Sequence, residues 1–174
     1  MTEQAPGPNE FPRLVERARM GDGIRHLEAD AAERAALARR FALVSIDRLE
    51  AEVTLTAEGE TVTATGTLRA RFVQSCAISG EDLPVSVEEP ILFRFVPTGT
   101  YGPDEEVELS EEDCETIEYA GGAFDLGEAV AQSMALTIDP YATGPNADRA
   151  RKDAGLLDED QTGPFAALAR LKKD

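Results

Sequence analysis

The chain of 174 residues carries 17 Lys+Arg against 34 Asp+Glu, a net charge of −17, and 42% apolar side chains. That is enough for one domain with a modest core and short for two, and a surface this acidic repels bare phosphate and anionic lipid while attracting cations. Two cysteines, Cys76 and Cys114, and a single histidine, His26, exclude an all-Cys/His zinc site of four ligands within one chain.

No apolar run reaches the roughly 20 residues of a membrane span, and the first residues lack a basic stretch followed by an apolar one. The expectation is a soluble cytoplasmic protein. Any Ser/His/Asp or Cys/His centre would have to use His26, and no GxSxG-type pattern supports one. No enzyme, cofactor or small-molecule substrate is expected.

Residues 1–20 open with Pro, Gly and polar side chains and predict a flexible segment. Residues 24–29 suit a short strand. Asp30 with Glu33 three positions on resembles a capping box ahead of a helix over 31–40, its apolar stripe running through Leu37, Phe41 and Val44. From Asp47 the period changes to two, with Leu49, Ala51, Val53, Leu55 and Ala57 facing inward. The same parity resumes after Glu58-Gly59-Glu60 at Val62, Ala64, Gly66, Leu68, Ala70 and Phe72, which predicts an antiparallel hairpin. A third strand carries Val85, Val87, Ile91, Phe93 and Phe95 on one parity. Pro90, on the other, predicts a sheet edge or a bulge.

A second helix is predicted over 125–137, opened by Asp125 with Glu128 in a capping-box position and ended before Pro140. Residues 141–174 predict a largely disordered tail, with a short amphipathic segment at 164–173 whose Phe165, Leu168 and Leu171 recur every three residues. The expected architecture is α+β: one domain over 21–140, an antiparallel curved sheet or partial barrel with two short helices packed on it.

Charge is segregated along this chain. Residues 49–140 hold three basic side chains, Arg69, Arg71 and Arg94, against twenty acidic ones, so the whole net charge lies there. A loop at about 98–122 concentrates Asp104, Glu105, Glu106, Glu108, Glu111, Glu112 and Asp113. Two readings stand for this run: a solvated loop that keeps the protein soluble, or a docking face for a basic protein. Extensive RNA contact needs several cations on phosphates. The candidates are Arg13, Arg17, Arg19, Arg25, Arg39 and Arg40 near the start, with Arg149, Arg151, Lys152 and Lys172 in the tail.

The run RFVQSCAISGEDLPVSVEEPILFRFVP, the helix string FDLGEAVAQSMALTIDP and the terminal GPFAALARLK resemble the YceD family, whose members are implicated in accumulation of the large-subunit ribosomal RNA. With its Ala-rich ALARRF string, the chain is similar to the alphaproteobacterial branch. The resemblance implies a non-enzymatic factor supporting 23S rRNA accumulation and large-subunit assembly. Its expected partner is a large-subunit precursor, through rRNA, a small basic ribosomal protein, or both. An acidic adaptor for basic proteins unrelated to ribosomes is the alternative. The family pattern falls on Cys76, on Asp125 and Leu126, and on Pro164, Phe165 and Leu168. Many members carry CxxC at the first position, whereas this chain has Cys76-Ala77-Ile78-Ser79, which weakens a metal role.

Read from the residues alone, Cys76 is a small buried side chain at a strand end or a ligand and redox thiol. Cys114, among carboxylates, is expected to be poorly reactive. Asp125 and Glu128 fit capping better than acid/base work, and Gly121-Gly122 fits a hinge better than a phosphate loop. The Phe165, Leu168 and Leu171 segment either docks back on the domain or enters a partner's groove.

Overall fold

A computed structural model describes residues 9–21, 23–99 and 116–155. The acidic run from Asp104 to Asp113, Cys114, and Pro164, Phe165, Leu168, Leu171 and Lys172 lie outside the described residues.

In chain order the elements are β1 (Leu14–Glu16), a 3-10 turn (Arg17–Arg19), β2 (Gly23–Glu28), α1 (Ala31–Arg40), β3 (Ser45–Glu58), β4 (Thr61–Ser75), β5 (Asp82–Pro97), β6 (Thr116–Tyr119), β7 (Ala123–Asp125), α2 (Leu126–Leu136) and α3 (Ala147–Asp153). Five strands form one open sheet in the order β2-β3-β4-β5-β6, and β1 pairs with β7 in a separate two-stranded ribbon. All pairings are antiparallel except β5 with β6. The architecture is thus α+β, and the sheet does not close into a barrel.

The hairpin of β3 and β4 forms the centre. Thirteen pairs from Ser45↔Val73 to Glu58↔Thr61 hold it in register, which puts Leu49, Val53 and Leu55 on the same face as Val62, Leu68 and Phe72, all buried. Each such side chain contributes about 1.5–3 kcal/mol of burial. A slip of one residue would turn the whole set to solvent. Gly66 is required by closeness of backbones, since a Cβ there would collide with the Glu52 carbonyl.

Pro90 predicts an edge or a bulge, and the pairing of β5 gives the edge. The strand's last residues, Arg94 to Pro97, pair with β6, while Asp82 to Phe93 have β4 on one side and, among the described residues, no strand on the other. Pro84 and Pro90 therefore sit along an open edge, where a missing amide disrupts no ladder. The inward face packs against α1 and α2, with Leu37, Leu126, Val130 and Met134 in the common core.

Several expectations are corrected. Val44 is 51% exposed and leaves the apolar stripe of α1, because the helix ends at Arg40 and Ala42 takes φ 54°, turning the chain before the next apolar position. Residues 9–20 are not a frayed lead: Phe11 is fully buried and Val15 pairs with Phe124. A third helix, α3, stands in the stretch read as disordered tail. Composition misled there because the segment is held by polar contacts rather than by a core of its own. Gly121 and Gly122 form a tight turn between β6 and β7, both with positive φ.

Candidate functional site

Two clusters gather the residues that the sequence singled out. The first is built on Asp125, the N-cap of α2. Its carboxylate accepts from the amides of Gly127 (3.0 Å) and Glu128 (3.2 Å), as a cap must. The same carboxylate also accepts from the Arg13 amide at 2.9 Å and from the Asn9 side-chain amide. It thereby ties the incoming N-terminal segment to the start of α2. Leu126 is buried beneath it, and its amide donates to the Arg13 carbonyl at 3.1 Å. Glu128 does not complete a capping box: its carboxylate takes Arg40 instead, at 2.6 and 2.9 Å.

Arg13 and Arg40, two of the expected RNA contacts, are consumed within the fold. The Arg13 guanidinium donates to both oxygens of Glu33 at 2.7 and 2.9 Å and lies 4.2 Å over the Phe11 ring. Arg40 joins Glu128 to Glu10 at 3.0 Å. Each guanidinium holds its carboxylate partner, Glu33 and Glu128 respectively, below the usual carboxylate range. Arg17 donates to the Gly59 carbonyl, and Arg19 forms an exposed pair with Glu16. Of the six, only Arg25 and Arg39 make neither an ion pair nor a side-chain hydrogen bond among the described residues. In the tail, Arg149 and Arg151 pair with Asp153 and Asp148 within α3.

The second cluster surrounds Cys76, 4% exposed at the end of β4. Sγ accepts from the amides of Ile78 (3.4 Å), Ser79 (3.3 Å) and Gly144 (3.4 Å). The Ser79 hydroxyl, then the Ser79 and Gly144 amides, pull the thiol from 9.0 down to about 6. Cys76 is thus buried at a strand end, as one of the two readings has it, with backbone amides facing its sulfur. Glu81 clamps the arrangement by accepting from the Asn146 amide at 3.0 Å and its side chain at 2.6 Å, and from Ser79 Oγ at 3.1 Å. These bonds, led by the Asn146 side chain, lower the Glu81 pKa.

Glu81, Gly144 and Asn146 were missed in the sequence, for their partnership spans 65 residues and leaves no local pattern. The SGED turn is the one local sign. No group of three His, Cys, Asp or Glu side chains among the described residues is placed to hold a metal ion.

The family model described as "Large ribosomal RNA subunit accumulation protein YceD" matches residues 64–172. The chain belongs to the YceD family. The family name itself implies a role in accumulating the RNA of the large ribosomal subunit. No curated protein and no solved structure matches the chain. The YceD match contains Cys76, Glu81, Asp125 and Asn146, whereas Arg13, Glu33 and Arg40 precede it. Asp125, inside the matched span, is thus tied to residues that precede it. No helix among the described residues is long and apolar enough to cross a membrane.

Proposed function

We propose that this chain supports 23S rRNA accumulation and large-subunit assembly chiefly by binding a small basic ribosomal protein, with limited direct RNA contact. Its place of action is then the cytoplasm, and it works without chemistry of its own. Family membership supports the ribosomal part of this reading. One observation supports the choice of partner: Arg13 and Arg40 are neutralised inside the fold, while residues 49–140 carry three cations against twenty anions.

Affinity for RNA grows with the number of phosphates that cations neutralise, and Arg25 and Arg39 are a small stock. Affinity for a basic protein grows with the opposite field. The acidic run of Asp104, Glu105, Glu106, Glu108, Glu111, Glu112 and Asp113 is the proposed docking face, and Arg25, Arg39 and the tail cations the proposed RNA contacts.

A depletion strain resolved on sucrose gradients tests this, with 23S and 16S rRNA quantified and the protein's own position followed. The expected result is selective loss of 23S, with the protein beside large-subunit precursors. Cross-linking there should recover a basic ribosomal protein in preference to RNA. Unchanged rRNA ratios, with the protein at the top of the gradient, would favour the adaptor outside the ribosome.

A further inference from the structure

The open edge of β5 and the outer side of α2 enclose a groove of about 270 Å³, lined by Ile91, Phe93, Ile117, Ala129, Ser133 and Leu136. Leu136 is 88% exposed and Leu92, on its rim, 38%. At its end Thr116 Oγ1 is buried with no hydrogen-bond partner among the described residues. The groove belongs to neither cluster above.

We propose that the groove is the docking site of this chain's own C-terminal segment, residues 164–171, seated through Phe165, Leu168 and Leu171. The proposal stands independently of the ribosomal reading.

An added strand is a poor occupant, since Pro84 and Pro90 deprive this edge of two amides that an incoming strand would use. A short apolar-faced segment needs side-chain room rather than a ladder. Phe165, Leu168 and Leu171 supply one aromatic and two aliphatic side chains at helical spacing.

The chain also reaches. The described part ends at Gly155 after α3, which Asn146 fastens to Glu81 just before β5. The end of α2 lies toward the same end of the sheet: the backbone carbonyl of Asp139, three residues after Leu136, accepts from Gln74 at 2.7 Å, and Gln74 pairs with Leu83. Residues 156–164 span up to about 30 Å when extended, which covers the way from Glu81 along β5 to Pro90. So short a tether sets a local concentration in the millimolar range, well above that of a second copy or a free partner. Charge agrees, since Arg170, Lys172 and Lys173 flank the apolar positions and Glu89, exposed on β5, borders the groove.

The test uses the full chain carrying a photoreactive benzoylphenylalanine at exposed position 136. Irradiation of the dilute protein should give a link within one molecule to residues 164–171. A Phe165→Glu/Leu168→Glu variant should lower its yield at least about tenfold, the factor that 1.4 kcal/mol of lost binding produces. Amide exchange is followed in parallel on chains without the photoreactive residue. In the variant it should rise at 129–136 and stay unchanged in α1, which shows that the domain remains folded. Links joining two chains would assign the groove to a second copy and overturn the proposal. Links to other segments, or a yield and exchange indifferent to the double substitution, would overturn it as well.

Discussion

Asp125 combines a helix cap with a latch, and the two roles separate by measurement. Loss of an N-cap costs about 1 kcal/mol, and leaving the Arg13 amide and the Asn9 side chain without their acceptor adds about 1–3 kcal/mol. Asp125→Ala is therefore expected to lower stability in urea by about 2–4 kcal/mol, with faster amide exchange at residues 9–16 as the sign of a released latch. Asp125→Asn should keep most of the cap and lose part of the latch. Cys76 offers a second reading by pH. Its thiol is held at about 6 in the folded chain, against 9.0 for the free group. A depressed folded pKa means a contribution that is complete above pH 9 and lost as pH falls through 6. The stability gap between wild type and Cys76→Ala is expected to widen from pH 6 to pH 9. Urea titrations of both proteins at four pH values across that window check it, and a flat gap would mean that the three amides do not favour the thiolate.

At the level of elements, close backbone approach sets the tolerances. A Cβ at Gly66 would strike the Glu52 carbonyl inside the central hairpin, and one at Gly127 would strike the Phe11 carbonyl where the N-terminal segment crosses α2. Gly66→Ala is expected to weaken the whole sheet by about 1–3 kcal/mol. Gly127→Ala should instead expel residues 9–13 and leave the β3–β4 hairpin protected, which limited proteolysis near Arg13 distinguishes from global unfolding. The contrast matches what was legible in the sequence. The period-two runs of β3 and β4 and the Asp30 and Glu33 cap of α1 are local patterns, and each stands where the residues placed it. Phe11, α3 and the Glu81 clamp were not legible, because what orders them is a partner more than 60 residues away: Asp125 for the N-terminal segment and Glu81 for Asn146. Strand order was hidden for the same reason, since alternation marks which face is buried but not which strand lies beside which.

For the whole molecule the decisive property is a field, and a field acts first on rates. With eight basic and eight acidic side chains before residue 49 and six of each after residue 140, both ends are balanced and the central −17 is not offset elsewhere. Ion pairs inside the fold do not supply a positive counter-surface, for Arg13 and Arg40 spend their charge on Glu33, Glu10 and Glu128. A basic partner would be drawn in, and electrostatic steering of this kind raises association rates by about 10–10³ at low salt. Replacing Asp104, Glu105, Glu106, Glu108, Glu111, Glu112 and Asp113 by their amides removes seven of the twenty central carboxylates without touching a described core residue. Stopped-flow measurement against the basic protein recovered by cross-linking is expected to show association slowed at least about tenfold at low ionic strength. The difference should shrink as salt approaches 1 M, where the screening length falls to about 3 Å. Equal rates for both proteins at low salt would leave the run a solvating loop, and steering would then have to come from carboxylates of the folded domain itself.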